Sequence, residues 1–285
     1  QWLAWGGVNV LIILLGTERW HVLTRLLGLQ VKFLPLLLIR QAGQTVSFIT
    51  PGPQFGGEPL QIYWLYKRCG MAIHSAVLAL GMDRFFELWI NFSVLLLGVA
   101  LLLFSPAQTG ADLPQIMAIL LGLIAVLWLL GWTALRQPRW VSGRLERLSQ
   151  RWLQSPRLRQ LDDHWQALGS DLQNVFNTRK PGLLWALTLS ALGWIAIFAE
   201  MALVLAILDI NVDMTGLVLI LVAMRLALLL PLPGGIGTLE ASVLWSFQTL
   251  DLPASAAIGV IALMRLRDAL VLLAGLLCLR SVQKV

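Results

Sequence analysis

Two polar segments interrupt an otherwise apolar chain, Pro51-Gly52-Pro53-Gln54-Phe55-Gly56-Gly57-Glu58 and Pro233-Gly234-Gly235-Ile236-Gly237-Thr238-Leu239-Glu240. They lie 182 residues apart without a gap, so the chain contains an internal repeat. A proline and glycines after an apolar stretch predict a membrane helix that stops and turns back, which hydrocarbon tolerates only where protein or water lines the break. We therefore predict re-entrant hairpins near residues 50–66 and 231–250. Their breaks are formed by Pro51, Gly52, Gly56, Gly57, Pro233, Gly234, Gly235 and Gly237.

The composition indicates an integral membrane protein. Of 285 residues, 58% are hydrophobic and only 13% are charged, and the mean hydropathy is +0.78. These values exclude a soluble domain with a large core. The chain begins at Gln1 without the pattern of a signal peptide, so we interpret it as a fragment that lacks an upstream helix.

The apolar runs predict the spans. About seven transmembrane helices are expected, and two further segments, 58–66 and 238–250, are too short to cross a bilayer. We assign these two segments to the returning halves of the hairpins. The fold class predicted is an all-α polytopic membrane protein. The expected spans are 2–27, 33–49, 73–104, 116–135, 182–208, 214–230 and 254–279.

The loop charges predict how the two halves are oriented. Nine basic residues between 136 and 180 place this connector in the cytoplasm, either as an amphipathic helix on the anionic inner leaflet or as an orientation signal alone. Lys67 and Arg68 follow the first hairpin helix, whereas Asp251 follows the second. The halves therefore form an inverted-topology repeat, in which hairpins enter from opposite faces. The predicted domains are 1–135, 136–181 and 182–285.

Ionisable residues within the predicted spans are costly in hydrocarbon and usually mark a polar pathway. They concentrate around the repeat, and Glu200 lies among them. Matched broken helices point to the substrate site of a transporter. The candidate translocation residues are Glu58, Asp83, Arg84, Glu87, Glu240, Arg265, Arg267, Asp268, Arg40 and Arg225.

Two roles are open for Glu58 and Glu240. In the first, Arg84 neutralises Glu58 and Arg265 neutralises Glu240, so that structural ion pairs hold the hairpins in place. In the second, the helix N-termini and the arginines bind a phosphate, which suits a phospholipid headgroup. Cys69 and Cys278 are far apart and the histidines are scattered, so neither a disulfide framework nor a metal site follows. We expect no metal, no cofactor, no nucleic-acid partner and no catalytic constellation.

Several motifs together carry a family resemblance. They are Glu18-Arg19-Trp20-His21-Val22-Leu23 with Gly28, the two glycine-rich breaks with their glutamates, and Asp83-Arg84. The chain resembles the lysylphosphatidylglycerol synthase transmembrane region, also called the flippase-like family, over nearly its whole length. The resemblance implies a bacterial or archaeal inner-membrane protein that moves lipids between leaflets. We expect no aminoacyl-transfer domain, so the synthase activity is not carried over.

The function expected from the residues and the resemblance is lipid translocation. The cargo could be a glycerophospholipid, a polyprenyl-linked sugar or a hopanoid-type lipid. The alternative is a non-transporting membrane subunit that docks or regulates a lipid or cell-envelope biosynthetic enzyme through the connector at 136–180. An intramembrane enzyme is the third possibility. The expected partners are membrane lipids, the anionic inner leaflet and a lipid-biosynthesis enzyme.

Overall fold

A computed structural model describes residues 1–50, 56–103, 180–230 and 232–284, together with 118–119, 121–122, 124–126 and 128–129. Pro51, Gly52 and nearly all of the predicted connector lie outside the described residues. Only part of the predicted span at 116–135 is described, and that part is helical. The described ranges contain helices and no strand, which confirms the all-α class.

Eight helices account for most of the described residues. Four of them begin at the first residue of a predicted span, at Phe33, Ile73, Met214 and Ala254. The start of a helix depends on a few neighbouring residues, so the sequence alone predicts it. A short 3₁₀ turn, Pro233–Gly235, forms the second break. The helices are α1 Trp2–Leu26, α2 Phe33–Ile49, α3 Glu58–Cys69, α4 Ile73–Leu103, α5 Lys180–Ile207, α6 Met214–Ala227, α7 Thr238–Thr249 and α8 Ala254–Lys284.

Helices α4 and α5 have the length and composition of membrane spans. Within the described residues, Ile73–Leu103 and Pro181–Ile207 each reach a mean hydropathy of 2.1, while α2 and α6 are apolar but shorter. Only 22% and 39% of the most apolar windows of α4 and α5 are buried inside the protein. Their apolar side chains therefore face outward, as expected where the surroundings are lipid.

The first four helices and the last four pack as two similar units. In the first unit, α1 contacts α2 and α4, and α3 lies between α2 and α4; in the second, α5 contacts α6 and α8, and α7 lies between α6 and α8. Between the units, α1 packs along α5, α2 along α8 and α4 against α6. If α1 to α4 are matched in order with α5 to α8, the contact of α2 with α8 corresponds to the contact of α6 with α4. The contact of α4 with α5 has no equally extensive counterpart.

Each unit has its own hydrophobic core, and each core includes at least one side chain from the other unit. Trp20 and Leu36 belong to the first core, which also contains Val282 of α8. Phe247 belongs to the second core, which also contains Trp5 of α1. The two units are therefore joined by buried apolar contacts as well as by helix packing.

Glycines permit the close approach and the turns at the breaks. A Cβ on Gly57 would overlap the carbonyl oxygen of Gly43, so α3 begins directly against α2. In the second break, Gly234, Gly235 and Gly237 have φ of 58°, 61° and 87°, the left-handed region that glycine adopts without strain. This turn contacts α2 at Phe48. The second break thus packs on a helix of the first unit.

We predict that Gly57→Ala lowers the thermal stability of the detergent-solubilised protein. Its φ of −86° suits alanine, so the loss comes from the overlap with the Gly43 carbonyl, at about 1–3 kcal/mol for an overpacked site. Gly81→Ala is the matched control, because a Cβ there meets nothing within 4 Å. The control should be neutral or stabilising, since alanine favours helix. Equal melting temperatures for both variants would contradict the close approach of α2 and α3.

Candidate functional site

Asp83 lies at the centre of the first unit and is completely buried. Arg19 of α1 donates from Nε to Asp83 Oδ1 at 2.8 Å. Arg40 of α2 donates from Nη1 to Asp83 Oδ2 at 2.7 Å. Because an unpaired buried charge is strongly unfavourable, these contacts fix α1 and α2 on α4.

Glu87 lies one helical turn from Asp83 and extends this network towards the hairpin. Its Oε2 accepts from Arg19 Nη2 at 3.1 Å and from Arg84 Nη1 at 3.0 Å. Arg84 also reaches Glu58 Oε1, with 3.3 Å between that oxygen and Nε. Glu58 in turn accepts the backbone N–H of Gly56 at 2.6 Å, at the N-terminus of α3, where a carboxylate is favoured. All four helices of the first unit therefore contribute to one charged network.

The second unit repeats the hairpin part of this arrangement. Arg265 of α8 donates from Nε to Glu240 Oε1 at 2.7 Å and from Nη1 to Asp268 Oδ2 at 3.1 Å. Its Nη1 also donates to the carbonyl of Gly234 at 3.2 Å. Glu240 accepts the backbone N–H of Gly237 at 2.7 Å, as Glu58 does with Gly56. Arg265 thus ties the break and the start of α7 to α8.

In each unit an ion pair joins the first helix to the last helix, but the helix that carries the arginine differs between the units. In the first unit the arginine, Arg19, is on α1 and the carboxylate is on α4. In the second unit the carboxylate, Glu200, is on α5, and Arg267 of α8 donates to both of its oxygens at 3.1 Å. Arg267 also contacts Asp268, with 2.9 Å between Nη2 and Oδ1.

The contacts refine the alignment of the repeat. Glu58 and Glu240 are 182 residues apart, whereas the arginines that bind them, Arg84 and Arg265, are 181 residues apart. A gapless offset places Asp83 opposite Arg265, but the contacts place Arg84 there. The segment between the hairpin glutamate and its arginine is one residue shorter in the second unit.

Two adjoining cavities lie between the units. One has a volume of about 280 Å³ and the other of about 450 Å³. Arg84, Glu87 and Arg225 line both, so the cavities share a charged wall. The smaller cavity is completed by Glu200, Arg267 and Asp268, and the larger one by Arg19 and Arg40. Charged side chains from both units therefore surround one space, whose remaining walls are largely apolar.

Arg225 differs from the other arginines of this space. Its guanidinium carbon lies 4.7 Å from the ring centroid of Trp194, a cation–π contact. Within the described part of the chain, the arginines at 19, 40, 84, 265 and 267 each have a carboxylate partner, and Arg225 has none. The donors of Arg225 are therefore available to a ligand in the cavities.

The predicted site residues fall into two groups. Those lining the cavities are Arg40, Arg84, Glu87, Arg225, Arg267 and Asp268. Glu58, Asp83, Glu240 and Arg265 lie behind them, in the ion pairs that hold the hairpins and helices. The pairs Arg84 with Glu58 and Arg265 with Glu240, which the sequence left as one of two roles, are thus present in the structure.

Arg19 and Glu200 are the charged cavity-lining residues that the candidate set lacks, and Glu200 is noted only as an ionisable residue of its span. Arg19 is not singled out. It is 6% exposed, contacts Asp83 and Glu87, and lines the larger cavity. Since it falls within the predicted first span, the criterion of an ionisable residue in hydrocarbon could have found it. Among the described residues, no group of three or more His, Cys, Asp or Glu side chains could hold a metal ion.

The fold and this site define a helical membrane protein with a charged cavity between two similar units. Residues 2–275 match the family described as the lysylphosphatidylglycerol synthase TM region. The chain belongs to this family, which confirms the resemblance and makes it a membrane protein related to lipid metabolism. Neither a curated protein nor a solved structure matches the chain.

We predict that Asp83→Asn destabilises the fold far more than Glu87→Gln. The first change leaves two buried arginines without their shared carboxylate, which costs about 3–5 kcal/mol. The Glu87 side chain is 37% exposed, so its loss is partly compensated by solvent. Thermal unfolding of the two variants in the same mild detergent measures the difference. Similar unfolding temperatures would show that Asp83 does not organise the helices.

Proposed function

We propose that the protein is a lipid translocase, in which a polar headgroup passes the cavities between the two units while the acyl chains stay in the bilayer. The observation that carries the proposal is the unpaired Arg225 in a cavity whose other arginines are paired. A phosphate-bearing headgroup supplies the anion that this guanidinium lacks. The proposal includes no chemical step, so the proposed role is that of a transporter and not of an enzyme.

The charge balance of the site favours passage over permanent binding. Transport requires that a ligand bind well enough to enter and weakly enough to leave. Carboxylates already contact five of the six central arginines, so a headgroup meets one guanidinium without a carboxylate contact among several ion pairs. With Arg225 included, six arginines face six carboxylates, so the site as a whole has no net formal charge. Glu87 and Asp268 line the smaller cavity, and their carboxylate oxygens can contact a positively charged group of a lipid headgroup.

We further propose that the chain has seven spans and two re-entrant hairpins in an inverted-topology repeat. The reciprocal packing of α2 on α8 and of α4 on α6 supports a two-fold relation between the units. So does the repeated order of hairpin glutamate, arginine and second acid in Glu58, Arg84, Glu87 and in Glu240, Arg265, Asp268. Basic residues in the last turn of α3 and an acidic residue just after α7 support opposite orientation in the membrane.

The proposed location is the inner membrane of a bacterium or an archaeon. The basic residues between 136 and 180 would then lie on the anionic inner leaflet. An enzyme that synthesises the lipid is the proposed source of the cargo. We propose as cargo a lipid whose headgroup carries an anionic group, because such a group can pair with Arg225.

Removal of the unpaired guanidinium should impair transport without unfolding the protein. In proteoliposomes with headgroup-labelled anionic, aminoacylated and zwitterionic phospholipids, we expect Arg225→Gln to slow translocation by roughly tenfold, the effect of one charge-assisted contact. Arg225→Lys should retain part of the rate, because it keeps the charge but loses the planar donor geometry.

Arg280→Gln is the control for this assay, since Arg280 is an exposed arginine near the end of α8. It should leave translocation unchanged. Folded wild-type protein that moves none of the lipids, or an Arg225→Gln variant as fast as wild type, would overturn the assignment.

The inverted repeat predicts that the C-terminal end of α3 and the turn between α7 and α8 lie on opposite sides of the membrane, and Tyr66 and Ser255 mark these two places. In a background with Cys69→Ser and Cys278→Ser, an impermeant maleimide should label Tyr66→Cys from the cytoplasmic side and Ser255→Cys from the external side. Both positions are exposed, and permeabilised membranes should label both. Labelling of both variants from one side of intact membranes would rule out the inverted arrangement.

A further inference from the structure

A third cavity is an apolar groove between α4, α5 and α6. It has a volume of about 260 Å³, and α4 contributes Val94 and Leu97 while α5 contributes Ala191 and Ile195. Within the described part of the chain, Arg225 is its one charged lining residue. The groove is therefore suited to hydrocarbon along its length and to an anion at one position.

The groove opens on the surface of the two helices that have the composition of membrane spans. Leu97, Leu101 and Ile195 line it and are 62%, 55% and 63% exposed. On its floor α4 and α6 meet closely, because a Cβ on Gly98 would lie 2.7 Å from Val222 Cγ2. In a bilayer the open side of the groove faces acyl chains.

Arg225 and Trp194 connect the groove to the polar cavities. Arg225 lines the groove and both cavities, and Trp194 lines the groove and the larger cavity. From the surface inward, the path passes the apolar groove, then the guanidinium of Arg225, and then the cavities with their ion pairs. A phospholipid has the same order of groups, with an acyl chain, a phosphate and a headgroup.

We propose that this groove holds one acyl chain of a phospholipid whose phosphate pairs with Arg225, and that it is the lateral entrance through which that lipid reaches the central cavities. The onward passage rests on the proposed translocase function, whereas occupation of the groove does not. The unpaired Arg225 favours this occupant over a diacylglycerol or an apolar helix of a second copy, because neither supplies an anion.

The test uses two lipids that differ only in the headgroup. A phosphatidylglycerol and a diacylglycerol with the same diazirine-bearing acyl chain are photolysed with the full chain in liposomes, and the labelled residues are mapped by mass spectrometry. We expect the phosphatidylglycerol to label groove residues of α4 and α5 roughly tenfold more than the diacylglycerol, the scale of one charge-assisted contact. Arg225→Gln should abolish the difference.

A filled groove provides the second arm. Ala191 is exposed and lines the groove, so Ala191→Trp fills it without burying new volume in the core. Leu192 is the next residue and is 41% exposed, but it does not line the groove, so Leu192→Trp is the matched control. Ala191→Trp should lose the labelling of the groove and slow translocation, while Leu192→Trp should change neither.

Equal labelling by the two lipids, unchanged groove labelling in Ala191→Trp, or cross-links between two copies at the groove would each overturn this inference. The comparison of the two lipids uses wild-type protein, so it does not depend on the folding of a variant. Phosphate-dependent labelling without any translocation would leave the groove as a lipid site and remove the translocase function. Translocation without groove labelling would keep the function and remove the entrance.

Discussion

The arrangement of the first unit depends on the pairing of a fully buried carboxylate with two arginines. Asp83 has no contact with solvent, and each of its oxygens accepts from a different helix, through Arg19 of α1 and Arg40 of α2. Loss of either partner would leave a charge uncompensated in a low-dielectric interior. The pairing therefore sets how α1, α2 and α4 meet, and Glu87 and Arg84 carry the same constraint to the start of α3.

In the second unit, ion pairs also join the helices, but the carboxylate is on the first helix and the arginine is on the last. Glu200 on α5 pairs with Arg267 on α8, and Arg265 holds Glu240 and the carbonyl of Gly234. Each unit thus neutralises its own hairpin, and the cavities form where the two sets of ion pairs face each other. Arg225 stands apart because it lies over the ring of Trp194 and, among the described residues, has no carboxylate within ion-pair distance. Six arginines and six carboxylates balance in the site as a whole, and Arg225 is the one arginine among them that no carboxylate contacts.

This single position links the proposed function to the membrane. Arg225 faces the polar cavities on one side and the apolar groove on the other. In a lipid bound there, an acyl chain stays in hydrocarbon. Its headgroup exchanges contacts with water for contacts with the charged side chains of the cavities, so the polar part is not buried without partners. Membership of the lysylphosphatidylglycerol synthase TM region family agrees with a lipid as the ligand.

The sequence by itself determined the membrane class, the helix starts at Phe33, Ile73, Met214 and Ala254, the two breaks and the family. These features depend on hydropathy and on proline and glycine, which act within a few residues. Only the tertiary structure decided that Arg19 completes the site, that Arg84 and not Asp83 corresponds to Arg265, and that Arg225 has no carboxylate partner. Arg40 and Arg19 lie 43 and 64 residues from Asp83, so helix packing, and not local sequence, brings the charges together.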